Sequence, residues 1–130
     1  MNWLLPLFEN KALLKPMMLA TAMLTNQFSY AYDDLIEIEV PPKNSHEECL
    51  QLLTTSNLRY DFNASSPINF NIHYHQNGKT IYPVKEYGVT KNSQASYKPT
   101  ASITYCMMWV NIGNKAITVN YHFKDSNPTN

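Results

Sequence analysis

The sequence predicts an all-β fold, an antiparallel β-sandwich of the jelly-roll kind with about eight strands. From Leu35 onward, apolar and polar residues alternate with a period of two, which is typical of half-buried strands. No long stretch repeats its apolar residues with the period of an amphipathic helix. Turn residues recur about every ten positions, a spacing typical of sandwiches and barrels. With 130 residues, of which 44% are hydrophobic, the chain has room for one domain.

The first predicted strands lie between residues 35 and 63. Leu35–Val40 alternates cleanly and is stopped by two prolines. Glu48–Thr54 and Asn57–Asn63 are the next two predicted strands, with a Thr-Ser pair between them. Glu47–Leu53 also fits a short helix, and the strand interpretation is favoured because the neighbouring segments are strands.

The clearest hairpin signal lies in the middle of the chain. Ile68–His75 alternates strictly and is followed by the dipeptide Asn77-Gly78. Both of these residue types accept a positive φ, as a two-residue hairpin turn requires. Thr80–Val84 is the predicted return strand, and Pro83 within it indicates a sheet edge.

The last third of the chain is predicted to contain a loop and three strands. The polar segment Glu86–Ser93 is the loop, and Gln94–Tyr97 is a weak strand. Ser102–Val110 and Lys115–Phe123 are predicted to form a second hairpin. Alternation in the strands predicts a core that includes Ile68, Phe70, Ile72, Tyr74, Ile117, Val119, Tyr121 and Phe123.

The N-terminus is typical of a secretory signal peptide. Lys11 and Lys15 precede an apolar run over residues 16–24, which is shorter than the roughly 20 residues that span a bilayer. Ser29 and Ala31 supply small residues ahead of a cleavage site. The alternative is a short amphipathic helix packed on the domain. We predict a signal peptide over residues 1–31 and a periplasmic or extracellular domain over residues 32–130, with no transmembrane segment.

The two cysteines, Cys49 and Cys106, are expected to form a disulfide if the chain is exported. An oxidising compartment favours the bond, and small exported domains often need one. Closing a loop of about 58 residues stabilises the fold by about 4 kcal/mol on a chain-entropy argument. In a cytosolic protein the same two residues would be unrelated buried thiols.

Several motifs follow one another through the predicted domain, namely Val40-Pro41-Pro42, Glu48-Cys49, Leu58–Phe62, Ile68–Ile72, Asn77-Gly78-Lys79, Tyr105-Cys106 and Val119–Phe123. Their order resembles that of the GOLD (Golgi-dynamics) domain. This is the lumenal β-sandwich of eukaryotic ER–Golgi cargo receptors, and it also occurs in CRAL-TRIO lipid-transfer proteins.

The resemblance implies a β-sandwich with a disulfide between Cys49 and Cys106. It also implies a non-enzymatic module that binds a protein or lipid partner through its surface. The coiled coil, transmembrane helix and cytosolic tail of the cargo receptors have no counterpart after Phe123. A coat-binding role in trafficking is therefore not expected.

Charge and motifs exclude several classes of function. Ten Lys and Arg residues balance ten Asp and Glu residues, whereas a nucleic-acid or anionic-membrane surface needs a basic excess. The three glycines are too far apart for a phosphate-binding loop, and no Gly-x-Ser-x-Gly elbow is present. We expect neither an enzyme nor a bound cofactor.

Three histidines give the alternative function, a periplasmic metal-binding protein. His73 and His75 are two positions apart, so in a strand both project from the face opposite Phe70 and Ile72. His122 has the same outward parity on the last strand. Three imidazoles that converge could bind copper or zinc. The other interpretation is that these histidines are on a solvated sheet face.

The aromatic residues predict where a partner would bind. Tyr82, Tyr87 and Trp109 belong to a set of aromatic residues larger than a domain of this size needs for packing. Tyrosine and tryptophan dominate interface hot spots, so we predict a binding surface formed by exposed members of this set, with Tyr82, Tyr87 and Trp109 as the candidates. The alternative is that these residues are in the core or half-buried with their polar ends in water.

Overall fold

The computed structural model describes residues 34–127, which form six β-strands. These are β1 (Ile36–Val40), β2 (Ser45–Leu52), β3 (Asn57–Gln76), β4 (Lys79–Tyr97), β5 (Ile103–Val110) and β6 (Ile117–Ser126). All pairings are antiparallel, so the prediction of an all-β antiparallel fold is confirmed. Within residues 34–127 there is no helix, and hence none long and apolar enough to cross a membrane. The predicted signal peptide lies outside the described residues.

The fold has six strands instead of the predicted eight because two pairs of predicted strands are continuous. Asn57–Asn63 and Ile68–His75 are parts of β3, and Thr80–Val84 and Gln94–Tyr97 are parts of β4. The loop predicted over Glu86–Ser93 is therefore wrong. The polarity of this segment has another cause: among the strands of residues 34–127, β4 pairs with β3 alone, and none of its residues is buried. The segment that also fitted a helix lies in β2.

The six strands form one curled sheet, close to a half-barrel, so the two packed sheets of the predicted β-sandwich are not confirmed. β3 pairs with β4 along one edge, around a turn in which Asn77 and Gly78 have the predicted positive φ values of 52° and 71°. Along its other edge, β3 pairs first with β6 and then with β5. β1 extends the sheet beyond β6, and β2 extends it beyond β5.

This change of partner divides the sheet in two. The first half comprises β1, β6, the start of β3 up to Ala64 and the end of β4 that pairs with it. The second half comprises β2, β5, β3 from Asn69 onward and the start of β4 that pairs with it. Pro67 lies between the two parts of β3, where the strand pairs with neither β6 nor β5. A residue without an N–H is tolerated at such a position.

β5 and β6 do not form the predicted second hairpin, because each pairs with a different part of β3. The connection between them is held by Asn111, which is 1% exposed. Its Nδ2 donates to the carbonyl oxygens of Val40 and Lys115 at 3.0 and 2.7 Å. Its Oδ1 accepts from the Gly113 N–H at 2.9 Å. The side chain thereby satisfies backbone groups of this connection and of the end of β1.

The inner faces of both halves share one core. The Trp109 ring of the second half lies 4.4 Å from the Tyr121 ring of the first half, measured between centroids. Phe62 and Phe70 make a similar contact at 4.9 Å. Of the predicted core residues, Tyr74 and Phe123 are partly buried at its margin, and the buried ones are Ile68, Phe70, Ile72, Ile117, Val119 and Tyr121.

Candidate functional site

The outer face of the second half is the surface of β2, β5, β3 and β4 that points away from the core. Three residues form a row across it. Cys49 of β2 lies directly opposite Cys106 of β5, and Cys106 lies directly opposite His73 of β3. The two cysteines form the predicted disulfide, with Sγ atoms 2.04 Å apart and Cα atoms 4.0 Å apart. The row is possible because all three strands are in register here, with these side chains on one face.

His73 is the buried centre of this outer face, with 3% of its surface exposed. Its Nδ1 lies 2.8 Å from Asn71 Oδ1, and its Nε2 lies 3.4 Å from Glu47 Oε1. The rings of His75 and Tyr82 flank it at 5.3 and 5.5 Å. The expectation of a solvated ring is therefore wrong for His73, although its face is the predicted one.

Burial is the main reason why the pKa of His73 is lowered from its ordinary value. The Glu47 carboxylate opposes this shift, and a charge on His75 would add to it. At neutral pH the imidazole is uncharged. Because Asn71 Oδ1 accepts the Nδ1 proton, the Nε2 lone pair of His73 points towards the Glu47 carboxylate.

The structure brings together two of the three histidines predicted as metal ligands. His75 lies beside His73, and its Nδ1 is 3.0 Å from Thr80 Oγ1. His122 lies in the first half, with its Nε2 3.0 Å from Asp61 Oδ2. The predicted set of three imidazoles is therefore not assembled on one surface.

A different set of possible ligand atoms does converge. One atom each from Glu47, His73 and Cys106 lie within 4.8 Å of one another. Sequence analysis missed Glu47 because the strand order was unknown, and only that order places β2 within reach of β3. One signal was available: Glu47 and Cys49 are two positions apart, so both project from the same face of β2. In the disulfide, Cys106 is not a thiolate and cannot act as a ligand.

The predicted aromatic surface is present in part. Tyr82 and Tyr87 are 40% and 72% exposed, whereas Trp109 is 1% exposed and belongs to the core. The prediction that Trp109 lies on the surface is wrong. Cys106 and Met108 point outward, so Trp109, at the alternate position of β5, points into the core. A cavity of about 260 Å³ opens between the two tyrosines, and its other lining residues include Lys85, Asn71, Met108 and Val110.

A bulge in β4 places Tyr82 on the outer face. Ile72 pairs with Val84 and Tyr74 with Ile81, so β4 has one residue more than β3 between these pairs. The extra residue reverses the alternation, and Tyr82 faces away from the core-facing Val84. There the Lys85 Nζ lies 4.4 Å from the centroid of its ring. Pro83 was the sequence signal for this irregularity, since prolines within sheets occur at edges and bulges.

Comparison with known proteins does not identify the chain. No protein-family model matches it, and no curated protein matches its sequence. Among solved structures, it is similar to a de novo designed double-stranded beta-helix determined by solution NMR. The TM-score is 0.45 and the identity 12%, over 71% of this chain and 100% of that chain. A similarity of this degree carries no inference about function, and the resemblance to the GOLD domain stays a prediction.

Proposed function

We propose that the chain is an exported, non-enzymatic binding module whose second half holds a protein partner on the outer face. The observation that carries this proposal is the cavity of about 260 Å³ between Tyr82 and Tyr87. Both tyrosines are exposed, and Met108 and Val110 add apolar lining. An apolar cavity flanked by exposed aromatic side chains is typical of the centre of a protein interface.

The position of β4 supports a polypeptide as the partner. Within residues 34–127, β4 pairs only with β3, so its other edge can accept main-chain hydrogen bonds from an added strand. A lipid cannot supply such bonds. Two slightly larger cavities, of about 320 and 300 Å³, lie near Asn57 and are lined mainly by polar and charged side chains. They lack the exposed aromatic residues of the Tyr82–Tyr87 cavity.

Two further observations support export and a binding role. The Cys49–Cys106 disulfide suits an oxidising compartment. The GOLD resemblance, which we retain as part of the proposal, implies a domain that binds through its surface without catalysis. The predicted leader over residues 1–31 belongs to the same proposal.

Selection from a phage-displayed library of random peptides tests the proposal. Peptides selected on the wild-type chain should lose more than about tenfold in affinity for the double variant Tyr82→Ala, Tyr87→Ala, since hot-spot tyrosines each contribute more than about 1 kcal/mol. The matched control is Leu35→Ala, because Leu35 is 66% exposed and lies beside β1 in the other half. The selected peptides should bind the Leu35→Ala variant as tightly as they bind the wild type.

Unchanged peptide affinity in the double tyrosine variant would overturn the proposed surface. Phosphatidylcholine vesicles, with and without phosphatidylglycerol, provide the lipid arm of the experiment. If only vesicles bind, and the same variant abolishes that binding, the partner is a lipid and the protein partner is rejected.

A further inference from the structure

The row Cys49–Cys106–His73 has the composition of a zinc site whose sulfur ligands are held in a disulfide. Cysteine thiolates, histidine nitrogens and carboxylate oxygens are the ligands that Zn²⁺ takes in proteins. Neighbouring side chains on one face of a sheet have Cβ atoms about 5 Å apart, so three adjacent strands deliver these residues to one place. Glu47 comes from the position two residues before Cys49 on the same face and reaches across to His73.

The distances between the ligand atoms suit a single ion. One atom each from Glu47, His73 and Cys106 lie within 4.8 Å of one another. A tetrahedral zinc ion with bonds of 2.0–2.3 Å needs its ligands about 3.5 Å apart. His73 Nε2 and Glu47 Oε1 are already 3.4 Å apart, so the largest gap to be closed among these three atoms is about 1.3 Å. The Glu47 side chain, which is 46% exposed, has room to rotate. The Cys49 Sγ is bonded to the Cys106 Sγ at 2.04 Å, and reduction frees both sulfur atoms to move apart.

The polar contacts of His73 leave a place for a proton or a cation between its ring and Glu47. Its Nδ1–H is held by Asn71 Oδ1, so the Nε2 lone pair and the Glu47 carboxylate oxygen face each other at 3.4 Å. Two acceptors at this distance repel unless a proton or a cation lies with them. Asn71 also accepts a hydrogen bond from the other ring nitrogen of His73. Most metal-binding histidines are oriented by a contact of this kind.

We infer that reduction of the Cys49–Cys106 disulfide converts the outer face of the second half into a zinc site formed by Cys49, Cys106, His73 and Glu47. This inference does not depend on the proposed binding surface, because none of the four ligands lines the Tyr82–Tyr87 cavity. The oxidised chain keeps its disulfide and has no thiolate to offer. The reduced chain has two thiols beside a preoriented imidazole and a carboxylate.

The conversion balances with a dithiol as the reductant. The dithiol transfers two electrons and two protons to the disulfide, the Sγ–Sγ bond breaks, and the reductant closes to its own disulfide. Zn²⁺ then displaces one proton from each of the two thiols. The attacking thiolate can reach Cys49, which is exposed, more easily than Cys106, which is 7% exposed.

Titration of the full chain with Zn²⁺, and with Co²⁺ as a spectroscopic probe, tests the inference. The protein is compared oxidised and after treatment with a phosphine reductant, which contributes no thiolate of its own. We expect one ion per reduced chain, a thiolate-to-cobalt charge-transfer band, and the release of two protons. The oxidised chain should show none of these. A reduced, folded chain that fails to bind Zn²⁺ would overturn the inference.

Variants of the reduced protein separate this site from adventitious binding. His73→Gln and Glu47→Gln should each weaken Zn²⁺ binding by more than about tenfold, and Asn71→Ala by about 10- to 100-fold. His122→Gln is the matched control, because His122 lies in the first half. It should bind Zn²⁺ as the wild type does. Equal affinities of His73→Gln and His122→Gln would also overturn the inference.

Reduction could itself unfold the domain, so the near-ultraviolet circular dichroism of the buried Trp109 is recorded in parallel. If the reduced chain is unfolded without metal, Zn²⁺ should restore the signal in the wild type and in His122→Gln. It should fail to do so in His73→Gln and in the double variant Cys49→Ser, Cys106→Ser. Restoration in all four proteins would show that the row is not the site.

Discussion

The two halves of the sheet share a core but have different outer faces. In the first half, the outer face carries Glu37 and Glu39, which are exposed, and the ion pair between His122 and Asp61. The His122 and Asp61 side chains are 22% and 18% exposed, so water reaches both. In the second half, the outer face carries a disulfide and a histidine that is almost inaccessible to water.

The difference shows that cross-strand neighbours, and not strand position alone, decide what a histidine can do. Both His122 and His73 project from the outer face of a strand that has neighbours on both sides. His122 meets a carboxylate at a place that water partly reaches, whereas His73 is covered by the disulfide, Glu47 and Tyr82. A covered imidazole with an oriented lone pair can serve as a ligand or a proton-sensitive group.

The largest predicted change in the free energy of unfolding comes from a core residue that contacts both halves, and it tests whether the halves unfold together. Trp109→Ala should lower the free energy of unfolding by about 3 to 5 kcal/mol, because its ring contacts Phe62, Phe70 and Tyr121 from both halves. Urea denaturation followed by circular dichroism measures the loss. Tyr87→Ala is the control and should change the stability by less than about 0.5 kcal/mol, since Tyr87 is 72% exposed. A loss below about 1 kcal/mol for Trp109→Ala would contradict the shared core.

A smaller effect is expected when the disulfide of the second half is removed. The double variant Cys49→Ala, Cys106→Ala should lose about 2 to 4 kcal/mol, because the bond restricts the unfolded chain. Since the core is shared, amide hydrogen exchange should accelerate in β6 as well as in β5. Faster exchange confined to β2 and β5 would mean that the halves unfold separately.

The smallest predicted effect is on how the stability of the fold depends on pH, and it compares His73 with His122. Burial lowers the pKa of His73 in the folded chain, whereas the unfolded chain takes up this proton near pH 6.5. The unfolded state therefore binds more protons below that pH, and the folded chain should lose stability as the pH falls from 7.5 to 5. His73→Gln should make this decrease shallower.

The control for the pH experiment is His122→Gln, measured by urea denaturation at the same pH values. In that variant the contribution of His73 to the decrease is retained. Identical pH dependence in wild type and His73→Gln would show that the buried imidazole does not control the acid sensitivity of the second half.

Local pattern was enough to predict much of the fold. Alternation along Ile68–His75 and Lys115–Phe123 predicted their core faces, because a strand has only two faces and burial selects one of them. Asn77-Gly78 predicted the hairpin, since few other dipeptides accept its φ values. Pro83 predicted an edge strand, and in the part of the chain that the structure describes β4 has a single neighbour, β3. Each of these inferences depends on residues close together in the sequence.

Residues close together in the chain were therefore enough to predict most strand faces, the central turn, the edge and the cysteines of the disulfide. Which strands are neighbours is seen only in the folded chain, and the burial of His73, its contact with Glu47 and the separation of His122 from both depend on it. It also decided, through one extra residue in β4, that Tyr82 faces outward. The physical reason is that faces follow from the backbone period of two, whereas neighbours follow from packing between residues far apart in the chain.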